Sequence, residues 1–164
     1  MDREHQAKQN PPGGESPNSG IGPLASALTM PGRKESVVAD CVVLIDEEVA
    51  SKRGLSAMAI KTGYKLVKGV KPGFVERVTE WLLPRFADAL DPIWQQGCQM
   101  GDPKEHLRCR SNEAAEALLG VTDTRIEMAN APVRSTYSRL RGSAKDHVEA
   151  AIPRLALLID KHVD

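Results

Sequence analysis

The sequence predicts an all-α fold, a single compact bundle of six to eight helices preceded by a disordered N-terminal tail. Apolar residues recur every three or four positions over most of the chain, which is the period of helices that pack on one face. No window alternates apolar and polar residues as a strand does, and no Asn-Gly or Asp-Gly hairpin turn occurs. Every Trp and Phe lies between Pro72 and Gly97, so we expect the core to form around that segment.

Length and composition limit the class of protein. A chain of 164 residues can bury well over half of its unfolded surface, so it needs no disulfide or metal to fold. Its 22 basic and 22 acidic residues balance, which gives no overall field towards nucleic acid or an anionic membrane. No apolar run approaches the roughly 20 residues of a membrane span. Because no secretory signal is present and the cysteine count is odd, we expect a cytoplasmic protein with reduced thiols at Cys41, Cys98 and Cys109.

Two regions are expected along the chain, a tail at residues 1–22 and a helical domain at residues 23–164. The tail is almost free of apolar side chains and cannot offset the entropy of ordering, so we expect it to be disordered. Residues 24–28 are expected to form a short turn that docks on the core. The glycine-rich stretch around Gly20 and Gly22 resembles a dinucleotide-binding loop, but no strand precedes it to aim such a loop.

The first two long helices are predicted on either side of Gly54. The first runs over residues 34–52, with apolar residues on one face. The second is predicted to start with Ser56 as its N-cap, to pack Leu55 against Ile60 as a hydrophobic staple, and to end before Gly69.

The central segment is predicted to consist of two or three helical pieces. Pro72 suits a first turn, whereas Pro84 removes a hydrogen bond and crowds the preceding turn, so we expect a kink or break there. Asp91 followed by proline is typical of an N-cap that starts a new helix. Trp81 and Phe86 lie on the apolar face of the segment and are both expected to be buried.

The last third of the chain is predicted to hold three helices after a loop at residues 97–102. Asp102, followed by proline and by Glu105, is the pattern of a capping box and predicts a helix start. Ser111 and Asn112 offer a cap for the next helix. From residue 133 the apolar positions keep one register to the end, which predicts a long helix bent near Pro153.

No motif identifies a catalytic centre or a cofactor. His106 and Cys109 are spaced by one helical turn, but a structural zinc site needs a second pair of ligands that the sequence lacks. The predicted helices contain no Glu-x-x-His pair of the kind that holds a di-iron centre. Nucleophile, metalloprotease and phosphate-loop motifs are also missing from the sequence. Catalysis by residues scattered in sequence therefore has no support here.

Basic residues are the one unevenly distributed feature. From residue 51 to residue 77 there are seven basic residues and one acidic residue, and residues 134–145 hold four basic residues and no acidic one. Two helix faces could thus bind phosphate or another anion. Because the total charge is zero, a solvated surface is the favoured interpretation and nucleic acid is not the favoured partner. The candidate anion-binding residues are Lys61, Lys65, Lys68, Arg134, Arg141 and Lys145. A helix–turn–helix that presents Lys61, Tyr64 and Lys65 is a weaker form of the same idea.

Three stretches of sequence resemble a family of small bacterial proteins known only as a domain of unknown function. They are VVADCVVLIDEEVASKRGLSAMAIKTGYKLVKGVKPGFVERVTEWLLPRFADALDPIW, EAAEALLGVTD and YSRLRGSAKDHVEAAIPRLALLIDKH. The resemblance covers about residues 36–162. It implies a helical cytoplasmic protein and carries over no functional residue.

These observations rank the functional classes. A non-enzymatic interaction or structural protein comes first, with a protein partner or self-association as its mode of action. A nucleic-acid- or phosphate-binding module comes second, and an enzyme of unrecognised type comes third.

Overall fold

The computed structural model describes residues 22–129 and 131–163, and within these ranges the chain forms seven helices and no strand. The all-α class and the predicted number of helices are confirmed. The expected disordered tail falls outside the described residues, apart from Gly22. The helices are α1 (Pro23–Leu28), α2 (Lys34–Ser51), α3 (Leu55–Val70), α4 (Phe74–Met100), α5 (Pro103–Cys109), α6 (Ser111–Ile126) and α7 (Ala131–Val163).

Helix α4 is the centre of the bundle and packs against α1, α2, α3, α5 and α6. It runs without interruption through Pro84 and Pro92, so the predicted division into pieces is wrong. A proline inside a helix costs about 3 kcal/mol. The helix stays unbroken at Pro92 because Leu90 before it and Ile93 and Trp94 after it are buried in the same core.

Helix α1 docks on α4 through two buried leucines, Leu24 and Leu28, which confirms the expected short docking segment. Its N-terminus is capped by side chains of α4 rather than by its own residues. Asp88 accepts a hydrogen bond from the backbone N–H of Gly22 at 2.8 Å, and Asp91 accepts one from Leu24 at 2.9 Å. Asp91 therefore caps a distant helix and does not begin a new one.

Several predicted helix ends differ from the observed ones. Helix α3 begins at Leu55 with Gly54 as its N-cap, so Ser56 lies inside it, and the exposed Leu55 forms no staple. Helix α4 starts at Phe74, which leaves Pro72 in the preceding turn, and it continues to Met100, which shortens the predicted loop to two residues.

The predicted start of α5 is confirmed. Asp102 accepts a hydrogen bond from the backbone N–H of Glu105 at 2.9 Å. The turn before it is tight because α4 and α5 approach closely at Gly97, where an added Cβ would lie 2.4 Å from the Cα of Pro103. The predicted cap of α6 is wrong, because the helix starts at Ser111 and includes Asn112, and the hydroxyl of Ser111 donates to the carbonyl of Arg108.

The core lies between α1, α2, α4, α5 and the last third of α7, which is a single helix through Pro153. The prediction that Trp81 is buried is wrong, because its side chain is 49 % exposed, and Phe86 is only half-buried. The guanidinium groups of Arg85 and Arg125 cover the indole ring of Trp81, 4.4 and 4.5 Å from its centroid. The buried tryptophan is Trp94. The core is completed by Leu24, Leu28, Val37, Leu83, Leu90, Leu107, Ile152 and Ile159.

Candidate functional site

An apolar cavity of about 550 Å³ lies between α2, α3, α4, α6 and α7. The apolar faces predicted for these helices do not close on one another completely, and the cavity is the space that remains between them. Its wall is formed almost entirely by aliphatic and aromatic carbon. The wall includes Leu44, Ile45, Val49, Ile60, Leu82, Phe86, Leu118, Val148 and Leu155.

The cavity reaches the surface between α3 and α4, where the exposed side chains of Val67 and Val78 line it. Helix α3 therefore forms one side of the opening. Unlike α4, it packs mainly against two neighbours, α2 and α4. Gly54, with φ of +93°, caps the start of α3, and Gly73, with φ of +72°, caps the start of α4 three residues after α3 ends; other residues rarely adopt this conformation.

One carboxylate holds the middle of α3 to α2. The hydroxyl of Tyr64 donates a hydrogen bond to Asp46 at 2.7 Å, and the ammonium group of Lys68 contacts the same oxygen at 2.8 Å. The hydrogen bonds from Lys68 and Tyr64 lower the pKa of Asp46 below its ordinary value. Burial and the neighbouring carboxylate raise the pKa of the Tyr64 hydroxyl, so this group remains a donor at neutral pH.

Polar groups meet the cavity wall at one edge, where α2 lies beside α7. Glu48 forms an ion pair with Lys52 at 2.8 Å and a second with Arg154 at 3.1 Å, and Arg154 also contacts Glu47. The side chains of Glu48 and Lys52 are mostly buried. Burial alone raises the pKa of Glu48, but hydrogen bonds from Lys52 and Arg154 outweigh it, so the pKa is lowered and the carboxylate stays charged.

The thiol of Cys41 also lines the cavity. Burial, with a smaller contribution from the charge of Asp40, raises its pKa to about 11. The thiol is therefore neutral at physiological pH and adds no charge to the wall.

The six predicted anion-binding residues lie on two separate surfaces. On α7, Arg141 forms ion pairs with Asp123 at 2.7 Å and Glu116 at 3.0 Å, and Lys145 forms one with Glu116 at 3.0 Å. The guanidinium group of Arg134 donates to the carbonyl of Ala129. Anion binding by this face stays a prediction, and any anion there would compete with two carboxylates.

The first basic face lies on α3. Lys68 contacts Asp46, whereas Lys61 and Lys65 are exposed and have no ion pair with any described residue. The helix–turn–helix interpretation is weakened because Tyr64, one of the side chains it would present, is half-buried against α2. Anion binding by Lys61 and Lys65 remains a prediction.

The candidate metal ligands do not come together as a set. The thiol of Cys109 donates to Glu105 at 3.3 Å, and this hydrogen bond raises the pKa of Cys109. Over the described ranges, no three His, Cys, Asp or Glu side chains are grouped so as to hold a metal ion.

The fold and the cavity define the class to which this chain belongs, an all-helical domain with an apolar cavity between its helices. The chain is a member of a family of unknown function, DUF6918, whose model matches residues 24–163. The expected resemblance to a domain of unknown function is thus confirmed over a slightly longer span. Comparison with curated proteins and with solved structures found no match. None of the helices in the described ranges has the length and apolar character needed to cross a membrane.

Sequence reasoning missed the cavity, although it placed several lining residues correctly on inward faces. Phe86, which was predicted to lie on the apolar face of the central segment, lines the cavity. Periodicity reports which side of a helix is apolar, but it carries no information on the distance between two apolar faces. The ion pairs of Glu48 with Lys52 and Arg154 could have been found only in part, since Lys52 lies four residues after Glu48 whereas Arg154 is distant in sequence.

Proposed function

We propose that this protein binds an elongated apolar ligand, such as an acyl or isoprenoid chain, in the cavity between α2, α3, α4, α6 and α7. The observation that carries the proposal is the cavity itself, with a volume of about 550 Å³ and a mostly apolar wall of aliphatic and aromatic side chains. Small-molecule sites commonly have volumes of roughly 300–1,000 Å³ and mostly apolar walls. The role is one of binding, and it gives no residue a catalytic part.

The size of the cavity supports occupation. A wholly enclosed apolar void costs about 24 cal/mol per Å³, so a void of this volume would cost on the order of 10 kcal/mol. That is comparable with the entire stability of a typical domain, about 5–15 kcal/mol. Part of the cost is relieved by the opening between α3 and α4, and an apolar ligand would relieve the remainder by contacting the wall.

The chemistry of the wall selects the ligand. Most of the wall, including the neutral thiol of Cys41, is apolar and provides no partner for a charged group. Polar side chains also line the cavity, namely those of Thr79, Thr122 and His147. Glu48 and Lys52 line it at its edge, where Glu48 is already neutralised by Lys52 and Arg154. We therefore expect the chain of the ligand to lie inside the cavity and its polar end to lie at this edge or in the opening.

Replacement of Ala151 by Trp tests the proposal, because Ala151 lines the cavity and an indole ring there would occupy the ligand's space. We expect the Ala151→Trp variant to bind a fluorescent long-chain fatty acid at least about 10-fold more weakly than the unmodified protein. Its melting temperature is expected to stay the same or rise, because the indole ring contacts the wall.

The matched control is Ala150→Trp. Ala150 precedes Ala151 on α7 but is exposed and does not line the cavity. This variant is expected to bind the probe as the unmodified protein does. Equal binding by both variants, or no binding of the probe by the unmodified protein, would contradict the proposed function.

A further inference from the structure

Helix α3 is apolar on two opposite sides, which is unusual for a helix at the edge of a bundle. Its inner side faces α2 and α4 through Ala57, Ile60 and Tyr64. On its outer side Leu55 is 88 % exposed and Leu66 is 69 % exposed. Spacings of three or four residues, or of eleven, bring side chains to one side of a helix. Leu55, Leu66 and Met58, which is 65 % exposed, therefore form an apolar stripe along the outer side.

Basic residues run alongside this stripe. Helix α3 contains three lysines and no acidic residue. Lys68 is neutralised by Asp46, but Lys61 and Lys65 are exposed and no carboxylate of the described residues lies within ion-pair distance of either. Two more exposed cations flank the helix, Arg53 before it and Lys71 after it. The outer face of α3, defined as Leu55, Met58, Lys61, Lys65 and Leu66, thus combines apolar side chains with uncompensated positive charge.

We propose that the outer face of α3 docks on the surface of an anionic membrane, from which the protein takes its apolar ligand. A helix with exposed apolar residues beside lysines is suited to lie in a membrane interface, with the apolar side chains among the acyl chains and the lysines at anionic headgroups. The positive charge of α3 is complementary to the negative charge of the membrane surface. The zero net charge of the whole chain does not oppose this attraction, because salt screens the more distant charges.

The position of α3 favours a membrane over another anionic partner. The same helix that carries the outer face also forms one side of the cavity opening, through Val67. A long apolar chain that leaves a bilayer loses free energy of burial in proportion to the apolar surface that it exposes to water. A receiving cavity that opens near the bilayer surface reduces that exposure. Val67 lies on the inner side of α3 with Ile60 and Tyr64, so docking through the outer face places the opening one helix diameter, roughly 10 Å, from that surface. The identity of the ligand source in this inference rests on the proposed function, whereas the docking itself does not.

Vesicle flotation tests the docking. We expect the unmodified protein to float with vesicles that contain phosphatidylserine and to remain behind with vesicles of phosphatidylcholine alone. A lysine near an anionic surface contributes about fivefold to partition, so the Lys61→Glu, Lys65→Glu double variant is expected to bind at least about 30-fold more weakly. Leu55→Ser with Leu66→Ser is expected to abolish flotation as well, because it removes the apolar contact.

The control variant is Arg108→Glu with Arg139→Glu, which changes the net charge by the same amount on exposed positions of α5 and α7. It is expected to float normally, and circular dichroism is expected to show unchanged helical content in all variants. Three outcomes would overturn the proposal. The first is equal loss of flotation in the two charge-reversed variants. The second is salt-sensitive binding of duplex DNA without binding of vesicles. The third is a dimer that Leu55→Ser with Leu66→Ser dissociates, again without vesicle binding.

The Ala151→Trp variant separates this proposal from the proposed function. It leaves the outer face of α3 intact, so it is expected to float with phosphatidylserine vesicles while binding the fatty-acid probe weakly. If flotation fails but the unmodified protein binds the probe, the docking is wrong and the cavity function stands. If flotation succeeds but the unmodified protein binds no probe, the docking stands and the cavity function is wrong.

Discussion

The two tryptophans of α4 have opposite environments although both follow the apolar period of the helix. Trp94 is 3 % exposed in the core, whereas Trp81 is 49 % exposed beneath Arg85 and Arg125. We expect Trp94→Ala to lower the free energy of unfolding by about 3–5 kcal/mol, because it leaves a large cavity. Trp81→Ala is expected to lower it by only about 1 kcal/mol, since it removes partial burial and two cation–π contacts.

Urea denaturation of the two variants measures this difference. The indole fluorescence offers an internal check, because the emission of Trp81, the residue left in Trp94→Ala, should lie at longer wavelength than that of Trp94. Equal losses of stability would mean that the environments of the two side chains have been assigned incorrectly.

Helix α3 depends on a single carboxylate for much of its attachment to α2. Replacement of Asp46 by Ala removes the hydrogen bond from Tyr64 and the ion pair with Lys68 together. Because α3 packs mainly on two neighbours and is flanked by glycines, we expect its backbone amides to exchange hydrogen faster while the other helices keep their protection. Hydrogen–deuterium exchange resolved along the chain measures the effect.

Asp40→Ala is the matched control for Asp46→Ala. Asp40 also lies on α2 and also accepts two contacts, but its partners, Lys161 and His162, belong to α7. This variant is expected to change exchange near the end of α7 and not in α3. Faster exchange throughout the protein in the Asp46→Ala variant would show that α3 is not attached independently.

The whole molecule is expected to lose stability in acid. Hydrogen bonds from basic side chains lower the pKa of four carboxylates, those of Asp40, Asp46, Glu116 and Asp123. Two of them, Glu116 and Asp123, both contact Arg141. Each such carboxylate has a folded-state pKa below its unfolded value of about 4, so its contribution to stability is present above about pH 4 and is lost as the pH falls further. We expect the melting temperature to fall between about pH 5 and about pH 2.

Asp123→Asn tests the origin of this acid sensitivity. Its melting temperature is expected to be lower at neutral pH and to decrease less on acidification, because one of the responsible carboxylates is gone. Asp146→Asn is the control, since Asp146 is exposed and forms no ion pair with the described residues. An identical acid response in both variants would exclude Asp123 as a contributor.

Local sequence patterns alone determined the helical class, the approximate positions of the long helices and the start of α5. Those features depend on interactions within one or two helical turns, such as the hydrogen bond from the backbone of Glu105 to Asp102. The family membership also followed from sequence, because it depends on the order of residues along the chain.

Tertiary structure decided the features that depend on distant residues. Asp91 looked like the N-cap of its own helix, but it caps α1, and Pro84 lies in a continuous α4 because burial on several sides outweighs its local cost. The burial of Trp94 and the exposure of Trp81 followed from which neighbours each one meets. The cavity was undetectable from sequence, because its volume depends on the separation of five helices and periodicity specifies only the direction of their apolar faces.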